Sequence, residues 1–154
     1  MKTLLIILIT PLILWSLLRA LIIPVLSSKT AARGVVDGEL SVCQRASNCV
    51  TSVAADPNAI EPIDFADASE SDWQGLLDAI TSLPGFNLRE RQGDYVHFES
   101  RTPLMNYRDD LELHWHRDRG YVAIRSASRL GIRDLDANAN RVAMIKKLAE
   151  IQRR

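Results

Sequence analysis

The chain has 154 residues, 19 basic and 19 acidic, and no formal net charge. That length holds one domain around one core. Lys2 and Arg19 belong to an apolar start, so the rest carries 17 basic against 19 acidic residues, a balance of −2, which leaves no cationic surplus for a phosphate backbone and excludes nucleic acid as a partner on that ground.

Residues 4–26 are almost wholly Leu, Ile, Pro, Val, Trp and Ala. At about 1.5 Å per residue, a helix of this length crosses a hydrocarbon core of about 30 Å. Pro11 removes one backbone donor, and Arg19 brings a charge whose burial costs about 2.5–3.5 kcal/mol at mid-membrane and less if it snorkels. A cleaved signal peptide is the competing reading, with Lys2 as its charged start and residues 4–15 as its apolar centre. No small-x-small cleavage site follows at the expected distance, which favours a retained anchor. Lys2 precedes the segment while Lys29 and Arg33 follow it, so charge sets the orientation only weakly. The expectation is a bacterial inner-membrane protein with its domain on the periplasmic side, or a periplasmic protein if the segment is removed.

Cys43 and Cys49 stand in a stretch rich in Ser, Asn and Ala. A zinc site would need more ligands nearby, and no histidine is close in sequence. In an oxidising compartment the pair reads as a disulfide closing a short loop, worth about 2–3 kcal/mol through loop-closure entropy. Two free thiols are the alternative.

After the apolar segment, residues 1–28, come a small and polar tether, residues 29–38, and one α+β domain, residues 39–154. Residues 39–65 contain Asp56-Pro57-Asn58 and Glu61-Pro62, which force turns and extended backbone, and are expected as a mostly irregular arm. A helix is predicted from about Asp72, with Ser71 and Gln74 as a capping box and Trp73, Leu76, Leu77, Ile80 and Leu83 on one stripe; Pro84-Gly85 ends it. Alternating runs at 86–91 and 95–102, joined by Gln92-Gly93-Asp94, predict a hairpin. In a second hairpin Leu111, Leu113 and Trp115 alternate with Glu112, His114 and His116, and the strand 121–130 returns after residues 117–120. Residues 134–138 offer caps for a last helix reaching about Gln152, striped by Val142, Ile145, Leu148 and Ala149. The expected fold is a four-stranded antiparallel meander with both helices on one face and the other face at least partly free.

The second hairpin can be registered from the sequence. With His116 opposite Tyr121, Trp115 faces Val122, Leu113 faces Ile124 and Leu111 faces Ser126 on the apolar side, while Glu112 faces Arg125 on the other. Asp109 then faces Ser128, and Asp110 lies diagonally between Arg125 and Arg129. The polar side becomes a carboxylate–guanidinium ladder, and the apolar side turns polar at its far end.

These residues carry a resemblance. The runs Ser47-Asn48-Cys49-Val50-Thr51-Ser52, Tyr107-Arg108-Asp109-Asp110-Leu111-Glu112 and Ile124-Arg125-Ser126-Ala127-Ser128-Arg129-Leu130-Gly131, followed by Asp134, Asn138 and Arg141, resemble the bacterial and plastid proteins grouped as domain-of-unknown-function family 1499, from about Leu40 to the last helix. The resemblance implies a membrane- or envelope-associated domain and no reaction. Family members tend to have glycine where this chain has Asp136.

The candidate site is therefore Asp109, Asp110, Arg125, Ser126, Ser128, Arg129, Asp134, Asn138 and Arg141. Guanidinium groups grip carboxylate or phosphate through paired hydrogen bonds, and a helix N-terminus adds free N–H donors, so the cluster reads as an anion-binding cleft. Alternatively the arginines pair with the aspartates and tie strand to helix; acids and bases roughly cancel, which favours this second reading. A hydrolase built on Ser126 or Ser128 needs a base in reach, yet no histidine follows them, and His97, His114 and His116 fall nearer the other end of the strands. Glu112, His114, His116 and His97 form a weak zinc candidate, and no metal or other cofactor is expected. Trp73 and Trp115 read as core rather than as sugar-stacking platforms. The leading expectation is a non-enzymatic module held at the membrane through residues 4–26, binding an envelope protein partner or a small anionic ligand; an enzyme of unassigned reaction is the alternative.

Overall fold

A computed structural model of the chain describes residues 2–131 and 133–153, without the side chains of residues 2–6 and 8. The apolar start forms helix α1 (Lys2–Leu17), a π-helical turn (Leu18–Ile22) and helix α2 (Ile23–Leu26). By length and composition its Ile9–Leu26 stretch can cross a membrane. Pro11 stands inside α1. The helix stops at Ser27, whose hydroxyl turns back to donate to the Ile23 carbonyl at 2.7 Å.

Strands β1 (Val35–Val36) and β2 (Glu39–Leu40) pair as a small hairpin. Its turn, Asp37-Gly38, holds φ of 52° and 81°, and glycine accepts such a left-handed backbone without steric cost. Next come β3 (Cys49–Thr51), β4 (Ile63–Asp64), helix α3 (Glu70–Ser82), β5 (Phe86–Gln92), β6 (Tyr95–Arg101), β7 (Arg108–His116), β8 (Tyr121–Ser128) and helix α4 (Ala137–Gln152). All sheet pairings are antiparallel, in the order β3-β8-β7-β6-β5, with β4 also on the outer edge of β8. The predicted meander is there, but the sheet has six strands rather than four. The arm at 39–65 is not mostly irregular: β3 and β4 occupy the edge that β8 would otherwise leave with open N–H and C=O groups. Each is too short to show alternation in sequence.

The β7–β8 register is the predicted one, from Asp109 opposite Ser128 to His116 opposite Tyr121. Alternation sends Val96, Phe98, Leu111, Leu113, Trp115, Val122 and Ile124 into one hydrophobic cluster with Trp73, Leu76, Leu77 and Ile80 of α3 and Val142, Ile145 and Ala149 of α4. Phe65, Trp73 and Trp115 stack at its centre, with Phe65 and Trp115 edge to face at 5.5 Å. The cap of α3 falls two residues earlier than predicted. Ser69 and Asp72 form the capping box, because Asp72 reaches back to the Ser69 N–H at 2.7 Å as Glu does in the commoner form.

The opposite face of the sheet is not free. Leu40, Val53, Tyr95 and Ala123 make a second small cluster there, and residues 29–34 cross the rest of that face beside β7.

Candidate functional site

The predicted site residues divide between the two faces of one sheet end. On the core side, Arg141 reaches out of the first turns of α4 into a buried polar cage. Its Nη2 donates to Asp109 Oδ2 at 2.7 Å, Nη1 to Ser126 Oγ at 2.8 Å and to Asn138 Oδ1 at 2.5 Å, and Nε to Ser100 Oγ at 3.1 Å. Asn138, fully buried, donates to Ser128 Oγ at 3.0 Å and to the Asn48 carbonyl at 2.9 Å. Asp134 starts the helix by accepting from the Asn138 N–H at 2.9 Å. Asp136, at φ 63°, supplies the left-handed step before it, a backbone that glycine adopts without steric cost and aspartate tolerates. The Ser126 hydroxyl donates to Asn138 Oδ1 at 2.7 Å while accepting from Arg141. Its proton is directed at an amide oxygen, and no base is among its hydrogen-bond partners in the described residues.

On the other side, Asp110 accepts from Arg129 Nε at 2.9 Å and Nη2 at 2.6 Å, and lies 2.7 Å from His97 Nε2. Arg129 Nη1 is 3.1 Å from Glu99, which also accepts from Arg89 and Arg101. Glu112 accepts from Arg125 Nη1 at 2.6 Å and from the Tyr95 hydroxyl at 3.1 Å. The linker completes both carboxylates: the Ala31 N–H reaches Asp110 at 2.5 Å, and the Arg33 and Gly34 N–H groups each reach Glu112 at 2.9 Å. Arg125 returns a bond to the Ala31 carbonyl at 3.1 Å.

Burial pushes the Asp110 carboxyl up, but bonds from His97, Arg129 and the Ala31 amide outweigh it and hold the group well below the usual carboxylate range. Burial likewise opposes Glu99, and the guanidinium groups of Arg89 and Arg101 pull it down. Burial, then the neighbouring Glu112, push the Tyr95 hydroxyl up, so it remains a donor. Among the described residues the zinc candidate is not assembled: Glu112 is bonded to Arg125 and His97 to Asp110.

Between the linker, the loop before β3 and the end of β8 opens a cleft of about 500 Å³. Arg125 and Arg129, with side chains 3% and 4% exposed, line it together with Lys29, Arg33 and Arg45, and no acidic residue among the described residues does. Lys29, Arg33 and Arg45 are exposed and form no ion pair among the described residues. Arg125 also keeps a buried Nε–H with no acceptor among the described residues. Cys49, bonded to Cys43, forms part of the wall and fixes the loop that carries Arg45.

Sequence reasoning placed His97 nearer the other end of the strands, whereas it lies 2.7 Å from Asp110, and it missed Glu99, Tyr95, Ser100 and the three rim cations. His97 and Glu99 alternate with Val96 and Phe98, a visible signal, but the loop from Thr102 to Tyr107 left the β6–β7 register open. Lys29 and Arg33 were hidden in a stretch expected as tether.

Fold and site together define an α+β domain on an antiparallel sheet, with a buried charge network at one sheet end and an apolar helix in front. The chain belongs to the family described as Protein of unknown function (DUF1499), whose match covers residues 39–148. No curated protein and no solved structure matches it.

Proposed function

We propose that this protein is a membrane-anchored, non-enzymatic module that binds a small anion in the cleft at the Arg125–Arg129 end, with its domain on the periplasmic side of the bacterial inner membrane and α3 and α4 together covering the sheet's core face. The observation that carries this is the charge of the cleft. Behind it, Glu99, Asp110 and Glu112 are answered by Arg125 and Arg129, while Lys29, Arg33 and Arg45 around its mouth form no ion pair among the described residues. A cation excess focused in a concave wall attracts an anion, and guanidinium groups prefer phosphate or carboxylate. The disulfide supports an oxidising compartment.

The test is calorimetric titration of the full chain in detergent with inorganic phosphate. Saturable binding that weakens roughly five- to tenfold in Arg45→Ala supports the proposal; no heat beyond dilution at tens of millimolar phosphate rejects it. An intact mass of the exported protein that includes residues 1–28 supports the anchor, and a mass lacking them rejects it in favour of a cleaved signal.

A further inference from the structure

A second concavity, of about 430 Å³, lies at the same sheet end and is mainly apolar, with Asp109, Arg133 and Asp134 also in its wall. Pro103, Leu104, Met105, Tyr107, Leu130 and Leu135 line it, and Ser128 and Gly131 line both it and the cationic cleft. Leu104 is 68% and Leu135 89% exposed, so two leucines on neighbouring loops face outward beside a greasy groove. Such contiguous exposed apolar surface marks a place where something else docks.

The N-terminal helix indicates what that is. Arg19 Nη2 donates to the Pro103 carbonyl at 3.0 Å, and its guanidinium lies 5.6 Å from the centre of the Trp15 ring. Arginine and tryptophan side by side on an apolar helix are typical of the bilayer–water boundary. Arg19 precedes Leu26 by seven residues, roughly 10 Å along a helix. The loop bearing Leu104 therefore meets the helix beside the stretch that can cross a membrane, not beyond its end. Lys29 places an exposed cation three residues beyond that end.

We infer that the cleft and groove form one site for an anionic phospholipid of the bilayer that holds the helix, its phosphate among Arg125, Arg129 and the rim cations and an acyl chain along Leu104 and Leu135. This rests on the anion-binding proposal above and names the source of the anion. A soluble anion would need only the cleft; the lipid also accounts for the groove, the exposed leucines and the Arg19–Pro103 contact.

The experiment reconstitutes the full chain in nanodiscs of equal parts phosphatidylcholine and phosphatidylglycerol and counts lipids retained after release into native mass spectrometry. The expected result is one phosphatidylglycerol kept in preference to phosphatidylcholine, reduced roughly tenfold in the double variant Leu104→Asp, Leu135→Asp and roughly fivefold in Arg45→Glu. Phosphate calorimetry on the same leucine variant should match the parent, and because both leucines are exposed its melting curve should too. Phosphate binding without a phosphatidylglycerol preference, or a preference that the leucine variant keeps, overturns the lipid inference and leaves the anion proposal standing. Absence of both lipid and phosphate binding removes the two together.

Discussion

The two faces of one sheet end hold the same chemistry in different states. Under α4, Arg141 is sealed: it meets one anion, Asp109, and hydroxyl and amide groups that use nearly every remaining donor. Under the linker, Arg125 and Arg129 are as deeply buried and each is paired with a carboxylate, yet they line an opening with three further cations around it. Arginine and aspartate in neighbouring registers do not by themselves make a site; what separates a girder from a pocket is what lies over the arginine. A helix closes the first, and an extended strand of backbone leaves the second open on one side.

Substitutions can break this comparison. The largest effect is expected for Arg141→Ala, which strands the Asp109 carboxylate in the core and should cost about 3–5 kcal/mol in chemical denaturation; a parental midpoint would refute the sealed-cage description. Arg125→Ala should cost less, about 2–3 kcal/mol, because Glu112 keeps the Tyr95 hydroxyl and two linker N–H groups. An unchanged melting temperature there would sink the network on the linker side. Replacing both Cys43 and Cys49 by serine should cost about 2–3 kcal/mol and also weaken phosphate binding, since the loop with Arg45 is released.

Acid separates the groups further. Burial holds His114 and His116 below the ordinary imidazole range, so the unfolded chain takes up protons first and stability falls as pH drops below about 6.5. Asp110 and Glu99 are depressed carboxylates, so their contribution is complete above about 4 and is lost as pH falls further toward their folded values. A melting temperature that stays flat from pH 7 to pH 3 would contradict both assignments. The smallest stability change belongs to Arg45→Ala, within about 0.5 kcal/mol; that variant sharpens the contrast because only ligand binding should respond.

Much of this was legible in the sequence where local rules are strong. Trp115, Leu113 and Leu111 alternate cleanly, and a short turn fixes the register with Val122, Ile124 and Ser126, so the positions of Asp109, Asp110, Glu112 and Arg125 followed. The division of the cluster between two faces also follows from parity, since Asp109 and Asp110 are neighbours on a strand and must point apart. Arg141 as the partner of Asp109 did not follow, because that contact spans 32 residues and depends on how α4 seats. The cover over Asp110 and Glu112 was hidden for a different reason. It is made by the backbone of Ala31, Arg33 and Gly34, and main-chain donors carry no sequence signal.

That cover has a mechanical consequence. A free leash the length of residues 29–38 would extend about 35 Å and let its cargo tumble, but here its first residues are stitched to β7 and the Arg19 guanidinium is fastened to Pro103. Helix and sheet end are thereby held to each other at two points, one on either side of the chain's passage from the apolar segment to the domain.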